Sequence, residues 1–400
     1  MSASNPQSGR ALTLSTTAFT VCFAVWTIFS IIGIQIKQQL SLTETQFGLL
    51  VGLPILTGSL IRIVLGVATD RLGGRLVYTL TMLAAAAATF LLSWATTYPQ
   101  MLLAAMGVGI AGGSFAVGVA YVSRFFDGAK QGTALGIFGV GNVGAAVTKF
   151  VAPFVMIAFG WQATAQIWAG VLALTAVLFW ALSKDDPVTA ARRGTAAPLR
   201  SLRAEFAPLN GLRVWRFSAY YFFSFGAFVA LALWLPHYLI GVYGFDVKTA
   251  GMVGAAYSIP ASIFRAYGGV LSDRIGARSV LYATFVVSLV ATAILMSMPG
   301  LPVAGFLVVI FTLGFFMSLG KAAVYKHIPT YYPGNVGAVG GLVGMIGGLG
   351  GFVLPLLFGW LKDQTGSWSS CFAVLFLLVA ACTVWMHLSI RQSRTALQAS

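Results

Sequence analysis

The chain contains few acidic residues and few charged residues of any kind. Its 400 residues include nine Asp and Glu against 24 Lys and Arg, and only 8% of them are charged. Because a soluble domain has about 25% charged residues, this composition excludes an ordinary soluble protein. All nine acidic residues fall outside the long apolar stretches. The sequence therefore lacks the intramembrane carboxylate that proton-driven exporters and sugar symporters commonly use to hold a proton.

Cysteine and histidine are scarce as well. The three cysteines, Cys22, Cys371 and Cys382, are scattered and form neither a disulfide framework nor a metal-ligand spacing. The three histidines are far apart along the chain, and no nucleotide-binding loop or nucleophile constellation is present. We therefore expect no enzyme activity, no metal and no cofactor.

Long hydrophobic runs dominate the chain. Its mean hydropathy is +0.88, and 58% of its residues are hydrophobic. The runs of roughly 20 apolar residues can each span a hydrocarbon core about 30 Å thick, and their continuous apolarity favours helices. We predict an all-α membrane protein with twelve transmembrane helices, over residues 12–36, 47–69, 76–96, 99–123, 131–157, 162–183, 213–236, 248–271, 278–298, 302–326, 335–361 and 368–390.

One long polar segment, 184–212, divides the predicted helices into two sets of six. We therefore predict an N-terminal six-helix bundle at 1–183, a linker at 184–212 and a C-terminal six-helix bundle at 213–400. Lys and Arg collect in the loops on one side, whereas the other side carries Lys37, Lys248 and Lys362. Such an excess marks the cytoplasmic side, which places both termini and the linker inside a cell (inner or plasma) membrane. The net charge of +15 then reflects membrane topology, and the predicted partner is the lipid bilayer, not nucleic acid.

The two predicted bundles repeat each other at an offset of 203 residues. Arg62 and Arg265 are related by this offset, and each is followed eight residues later by an Asp-Arg-x-Gly-x-Arg turn. The charged residues of the two turns are Asp70, Arg71, Arg75, Asp273, Arg274 and Arg278. We expect these residues to fix topology, cap helix ends and gate the protein. Two repeated halves of the same orientation are typical of a rocking transporter with a central site.

Arg62 and Arg265 lie in the middle of apolar runs that contain no acidic residue. A charge at the bilayer centre costs about 2.5–3.5 kcal/mol even on the mildest scale. Eight residues of helix place each arginine about 12 Å from its turn, near the membrane midplane. Each could instead bind backbone carbonyls or snorkel to the interface, but the repetition in both halves favours a shared role. A guanidinium suits a small planar oxyanion, so we predict an anion site.

The fifth and eleventh predicted helices are rich in glycine. Glycine at three- and four-residue spacing lets helices approach closely, and Gly141 and Gly344 belong to these stretches. Asn142 could donate its amide to an oxyanion or bridge two helices. Two further cations lie within predicted helices, Lys149 toward the outer end and Lys321 near the inner end, where it could snorkel. We expect both lysines to be accessory.

The repeated turns resemble those of the major facilitator superfamily, and the resemblance covers residues 12–390. The segments Ala111–Phe115 and Ala129–Gly136 and the glycine-rich helix eleven look like the signature segments of the nitrate/nitrite porter family. The resemblance implies that nitrate or nitrite binds between Arg62 and Arg265. It also implies roles in substrate binding for four residues, Phe115, Asn142, Tyr221 and Phe225.

The favoured hypothesis is a monomeric alternating-access transporter that exchanges nitrate for nitrite. When the site is empty, the two arginines repel each other, so the occluded state requires a bound anion. A carrier that occludes only when it is loaded exchanges one anion for another. Proton symport stays open if a His, a Lys or water takes part, with His327 a candidate by elimination. A passive anion channel or uniporter is a further alternative. A membrane enzyme, a sensor and a multidrug exporter are disfavoured by the residues that the chain lacks.

Overall fold

The structure is a computed structural model that describes residues 6–195 and 201–398, and the regular elements within these ranges are all helical. Twelve long helices are numbered here α1 to α12. The first six are α1 (Pro6–Trp26 and Phe29–Gln39), α2 (Glu44–Leu72), α3 (Gly74–Leu92), α4 (Tyr98–Ser123), α5 (131–159) and α6 (161–182). The second six are α7 (Leu212–Tyr243), α8 (Val247–Ile275), α9 (Ala277–Ser297), α10 (Val303–Tyr331), α11 (Val336–Thr365) and α12 (Ser370–Gln398).

The prediction of twelve transmembrane helices is confirmed. Ten segments of the described chain are long and apolar enough to cross a membrane. One of them, Gln131–Leu182, holds both α5 and α6, because Gly160 has a φ of 83° and breaks the helix there. A positive φ is readily adopted by glycine because it has no Cβ. The remaining helix, α8, is continuous over 29 residues, contains the charged Arg265 and completes the set.

The polar connection between α6 and α7 contains two short helices, Pro187–Thr195 and Leu202–Phe206. The first is held against the turn after α2, because Arg192 donates to the backbone carbonyls of Asp70 and Arg71. Residues 196–200 of the predicted linker, and the chain ends at 1–5 and 399–400, lie outside the described residues. The boundaries 1–183, 184–212 and 213–400 stay a prediction.

Two glycine contacts join the first six helices to the second six. A Cβ added to Gly66 of α2 would lie 2.0 Å from the carbonyl oxygen of Gly337 in α11. A Cβ added to Gly269 of α8 would lie 2.1 Å from the carbonyl oxygen of Gly132 in α5. Gly66 and Gly269 are again 203 residues apart. The helix backbones meet at equivalent places in the two halves, and side chains larger than hydrogen do not fit there.

The two turn aspartates cap helices of the opposite half. The backbone N–H groups of Gly337 and Ala338, in the first turn of α11, donate to Asp70 at 3.0 and 2.8 Å. Those of Gly132 and Thr133, in the first turn of α5, donate to Asp273 at 3.0 and 2.6 Å. A helix N-terminus favours a negative charge, so both caps hold the halves together at this end.

Basic side chains outside the turn motif pair with these two carboxylates. Arg124 lies 2.7 Å from Asp70, and Lys326 donates to Asp273. Of the turn arginines, Arg75 donates to the carbonyl of Trp180 and stacks on its ring. The other turn arginines are Arg71, which is half-buried, and Arg274 and Arg278, which are exposed. The end that carries these arginines and the two caps is called the basic end below.

Candidate anion-binding site

Arg62 of α2 and Arg265 of α8 meet at one aromatic ring in the protein interior. Their guanidinium carbons lie 5.5 and 4.9 Å from the ring centroid of Phe115, which α4 contributes. Each arginine is 1% exposed. The structure therefore brings one buried cation from each half to a common centre.

Arg62 is anchored by backbone carbonyls of both halves. Its Nε donates to the carbonyl of Gly112 at 3.0 Å, and its Nη1 donates to that of Gly344 at 2.7 Å. The rings of Trp26 and Phe225 flank the guanidinium, with centroids 5.5 and 5.8 Å from its carbon. Carbonyls and rings orient the group but carry no net negative charge, so the positive charge of Arg62 is not neutralised by them.

Arg265 has fewer hydrogen bonds than Arg62. Its Nη2 donates to the hydroxyl of Tyr221 at 3.3 Å, while its Nε and Nη1 are buried without a hydrogen-bond partner. A buried donor without a partner costs about 1–3 kcal/mol, and more when it is charged. Among the described residues, no carboxylate lies within ion-pair distance of either arginine. Two nitrogen atoms of Arg265 thus remain available to an acceptor.

Aromatic rings enclose the two guanidinium groups. The ring of Tyr221 is parallel to those of Phe225 and Phe115, with centroids 5.0 and 6.4 Å apart. Tyr325 of α10 packs edge-on against Phe115 and Tyr221, at 4.9 and 4.7 Å. Its hydroxyl donates to the carbonyl of Gly340 at 3.0 Å. Aromatic faces stabilise nearby cations by about 0.5–2 kcal/mol, so the rings partly offset the burial of the arginines.

Three helices depart from α-helical geometry at the site. The segments Ile110–Gly113 in α4 and Val140–Val143 in α5 are 3₁₀-helical, and Phe222–Ala227 in α7 is π-helical. The first contains the Gly112 carbonyl that accepts from Arg62, and the second contains Asn142. Mid-helix irregularities of this kind often mark functional positions and hinges.

Asn142 and Lys149 line a cavity of about 160 Å³ that lies between the halves. Phe225 and Gly348 line the same cavity, and a Cβ on Gly348 would lie 3.2 Å from Nη1 of Arg62. Asn142 leaves its buried Oδ1 without a hydrogen-bond partner, and Lys149 is exposed. Both residues lie further along α5 from the basic end than Gly132 does, so the cavity adjoins the site on the side away from that end.

The two singled-out glycines have different surroundings. Gly344 contributes the carbonyl that accepts from Arg62, and a Cβ there would lie 2.7 Å from the hydroxyl of Tyr325. Gly141 faces Phe19 of α1, whose ring would be 2.5 Å from an added Cβ. Gly344 is therefore part of the site, whereas Gly141 serves helix packing.

The expectation that Lys321 snorkels near the inner end is wrong. Lys321 is 1% exposed, and its Nζ lies 3.1 Å from the ring centroid of Phe228 and 6.0 Å from that of Phe225. The reason is the length of α10, which was predicted to end at 326 but continues to Tyr331. Lys321 is then about 15 Å from the helix end, and it lies deeper in the protein than the predicted helix end implied.

Several residues at the site were not singled out from the sequence. They are Trp26, Phe228 and Tyr325, and no local pattern separates them from the other aromatic residues of the chain. His327 was singled out but lies elsewhere. Its ring stacks on Phe217 at 5.3 Å, in a pocket near the basic end that Arg213 and Arg278 also line.

Sequence comparisons identify relatives over nearly the whole chain. The family model described as Major Facilitator Superfamily matches residues 14–253 and 243–399. A protein of Thermus thermophilus named probable nitrate/nitrite antiporter NarK1 is 42% identical, over 96% of this chain and 92% of its own length. A protein of Staphylococcus haemolyticus named probable nitrate transporter NarT is 32% identical, over 92% of this chain and 94% of its own length.

Solved structures share the fold at low sequence identity. The proton:xylose symporter XylE has a TM-score of 0.78 and is 12% identical, with 96% of each chain covered. FucP, in its outward conformation, has a TM-score of 0.74 and is 17% identical, with 94% of this chain and 98% of that chain covered. These structures show the fold alone. The family model and the two relatives described above show that the chain belongs to the nitrate/nitrite porter family of the major facilitator superfamily.

Proposed function

We propose that the protein transports nitrate and nitrite across the cell membrane by alternating access, with one anion bound between Arg62 and Arg265. The observation that carries the proposal is the convergence of two buried guanidinium groups on Phe115 without a carboxylate partner in the described residues. The names of the relatives, a probable nitrate/nitrite antiporter and a probable nitrate transporter, support this choice of anion.

The site suits a planar anion of one negative charge. Nε and Nη1 of Arg265, which lack protein partners, can each donate to an oxygen of an anion, and the planar guanidinium is the cationic side chain best suited to oxyanions. The parallel rings of Phe115, Tyr221 and Phe225 present flat faces beside it. Asn142 lines the neighbouring cavity, and we propose that its side-chain amide donates a hydrogen bond to the anion. We propose that Lys149, which lines the same cavity, attracts the anion toward the site by its positive charge.

Charge repulsion links anion binding to occlusion. Because both guanidinium carbons lie within 5.5 Å of the Phe115 centroid, they are at most about 11 Å apart and repel by at least about 1.5 kcal/mol at an effective dielectric constant of about 20. A bound anion adds attraction to both cations, which outweighs their mutual repulsion because the anion lies closer to each cation than they lie to each other. The occluded state is therefore favoured when it is loaded, which supports exchange of nitrate for nitrite over a passive channel.

The basic end supplies the gate of the proposed cycle. Asp70 and Asp273 hold the halves together there, while the cavity with Lys149 lies on the other side of the site. We propose that the basic end faces the cytoplasm, as the excess of Lys and Arg indicates, with both termini and the linker on that side. The moving units are the bundles 1–183 and 213–400, joined by 184–212, and one chain is the functional unit.

Counterflow in proteoliposomes tests the transport mode. Purified protein should take up labelled nitrate faster when nitrite is enclosed than when the lumen holds no exchangeable anion. A channel would show no such acceleration. Absence of nitrate uptake under both conditions would refute the proposed function.

Conservative substitution of the arginines tests the site. Arg62→Lys loses the hydrogen bonds to two carbonyls, and Arg265→Lys loses the planar pair of donors. A loss of about 1.4–3 kcal/mol would raise the KM for nitrate by about ten- to a hundredfold. Arg10→Lys, at an exposed position, is the matched control and should behave as the wild type. Wild-type rate and affinity in both site variants would exclude a role for the planar fork.

A further inference from the structure

A second cluster of arginines lies at the basic end of the C-terminal half. One cavity of about 70 Å³ is lined by Arg213 and Arg216 of α7, Arg278 of α9 and His327 of α10, and residues of α12 complete its wall. It shares no lining residue with the cavity beside the anion site. One water molecule requires roughly 10–15 Å³, so this cavity has room for a small oxyanion.

The three arginines have no anionic partner among the described residues. None of them forms an ion pair with, or donates a hydrogen bond to, a residue of the described chain. Nε of Arg216 is buried without a hydrogen-bond partner. The guanidinium carbon of Arg213 lies over the ring of Tyr331, 4.5 Å from its centroid. A buried donor without a partner is destabilising, and more so when it is charged. The cavity therefore offers positive charge and hydrogen-bond donors to a ligand.

The position of two arginines at helix ends adds to the unbalanced charge. Arg213 is the second residue of α7, and Arg278 is the second residue of α9. The N-terminus of a helix favours a negative charge, so the helix dipole opposes a cation at both positions. An anion in the cavity is attracted by the guanidinium groups and by both helix ends.

The helices around the cavity supply no such anion. The described residues of α7, α9, α10 and α12 include no Asp or Glu. Asp273, which precedes α9, is engaged with the N-terminus of α5 and with Lys326. The negative charge that the cavity favours therefore comes from outside these helices.

The cluster is a property of one half and not of the repeat. The offset of 203 residues relates Arg213 to Arg10, which lines a cavity of the N-terminal half. The same offset relates Arg216 to the uncharged Thr13. Arg75, the counterpart of the arginine in α9, donates to a backbone carbonyl and stacks on a tryptophan ring. Membrane orientation alone thus does not account for three arginines without partners in the second half.

Four membrane spans have their ends at this cavity. The helices α7 and α9 begin there, and the spans of α10 and α12 end there. Leu212 and Leu388, which adjoin cavity residues in sequence, are 66% and 51% exposed, and Trp215 is 46% exposed. Tryptophan is enriched where a membrane meets water. The cavity therefore lies at the depth of lipid head groups, with apolar side chains beside it.

We propose that this cavity binds the phosphate group of an anionic membrane lipid in the leaflet at the basic end. Basic pockets between transmembrane helices on the cytoplasmic side suit lipid head groups. The phosphate oxygens accept hydrogen bonds from the guanidinium groups of Arg213, Arg216 and Arg278, and the acyl chains cover Leu212 and Trp215. The inference goes beyond the proposed function, because this lipid is bound and not transported.

Lipid binding to the purified full chain in neutral detergent tests the proposal. Native mass spectrometry counts the bound lipids and gives their affinity, and the melting temperature reports stabilisation. Phosphatidic acid should bind and raise the melting temperature. Phosphatidylcholine with the same acyl chains should bind weakly, because its choline cancels the phosphate charge. Inorganic phosphate should also bind weakly, because it has no chains to cover the apolar side chains.

Substitutions locate the bound lipid. Arg216→Gln should weaken the binding of phosphatidic acid about fivefold, the factor expected for one basic residue near an anionic lipid surface. Adding Arg213→Gln should weaken it about 25-fold in total if the two effects add. Arg216→Lys keeps the charge and should bind more tightly than Arg216→Gln. Arg10→Gln removes the same charge at the equivalent place in the other half and should keep the wild-type affinity. Melting temperatures without lipid show that each variant is folded.

Each contrary result overturns a stated part of the proposal. Equal affinity of the wild type and the folded double variant for phosphatidic acid would overturn the assignment to this cavity. Equal weakening by Arg10→Gln and Arg216→Gln would show attraction to net charge without a specific pocket. Equal binding of phosphatidic acid and phosphatidylcholine would overturn recognition of the anionic phosphate. Inorganic phosphate that binds as tightly as phosphatidic acid would overturn the lipid as its source. None of these results depends on nitrate transport, so the proposed function is tested separately.

Discussion

Replacing Asp70 and Asp273 by asparagine is expected to open the basic end. Each carboxylate accepts two backbone N–H groups from the first residues of a helix in the opposite half. These bonds exist only while the halves are closed at this end. By contrast, Arg124 belongs to the same half as Asp70, so their ion pair can persist in both conformations. The substitutions should therefore act on the equilibrium between the conformations.

The size of the effect follows from the four N–H donors. A hydrogen bond to a charged acceptor contributes about 1.5–3 kcal/mol. When the end opens, water forms hydrogen bonds with the carboxylate and with the N–H groups, and these bonds offset part of that loss. We expect a net loss of about 2 kcal/mol per cap, which shifts the equilibrium toward the open state about 30-fold. If the two caps act independently, Asp70→Asn and Asp273→Asn combined should shift it about 1000-fold.

A buried cysteine can report the opening. Val119 is 1% exposed and lies in the interface of the halves, 3.7 Å from the position of a Cβ on Gly340. Val119→Cys is placed in a background in which the three native cysteines are replaced by alanine. Its rate of reaction with a membrane-impermeant maleimide is then measured from the side of the basic end. The rate should rise about 30-fold in each single variant, because it follows the open population.

An exposed aspartate at the same end supplies the control. Asp127 lies in the loop before α5 and is exposed. Asp127→Asn removes the same charge without touching a cap, so the labelling rate should stay that of the parent. Equal labelling of the parent, both single variants and the double variant would show that the caps do not hold the basic end closed.

Two further predictions concern the arginine site. Tyr221→Phe removes the hydroxyl that accepts a hydrogen bond from Arg265. Without this bond the guanidinium is held less firmly, and a loss of about 1 kcal/mol in binding free energy should raise the KM for nitrate about fivefold. An unchanged KM would mean that this bond does not orient the guanidinium. Gly139→Ala places a Cβ 2.2 Å from Nε of Arg265, so nitrate transport should be lost while the melting temperature of the purified protein falls by only a few degrees. Retained transport would show that Arg265 can move without consequence.

The repeat made the centre of the site predictable from sequence. An arginine inside an apolar run is conspicuous, and the equal offset of Arg62 and Arg265 placed both at one depth. The aromatic neighbours are different. In a chain with 30 Phe, 13 Tyr and 10 Trp, no periodic pattern marks Tyr325 or Trp26, whose positions depend on how helices pack. The depth of Lys321 was missed for a simpler reason, since it required the true end of α10.

The glycine contacts explain why the site and the gate act on each other. Close approach of α2 and α11 is possible because Gly341 has no side chain, and a Cβ there would lie 2.6 Å from the carbonyl oxygen of Arg62. The same approach brings the Gly344 carbonyl within 2.7 Å of Nη1 of Arg62. Arg62 therefore takes one acceptor from its own half, Gly112, and one from the other. When α11 leaves Asp70 at the basic end, Arg62 must give up the second acceptor. The Nη1 N–H group that is released can then donate to an anion or to water. Opening of the gate therefore changes the affinity of the site for the anion directly.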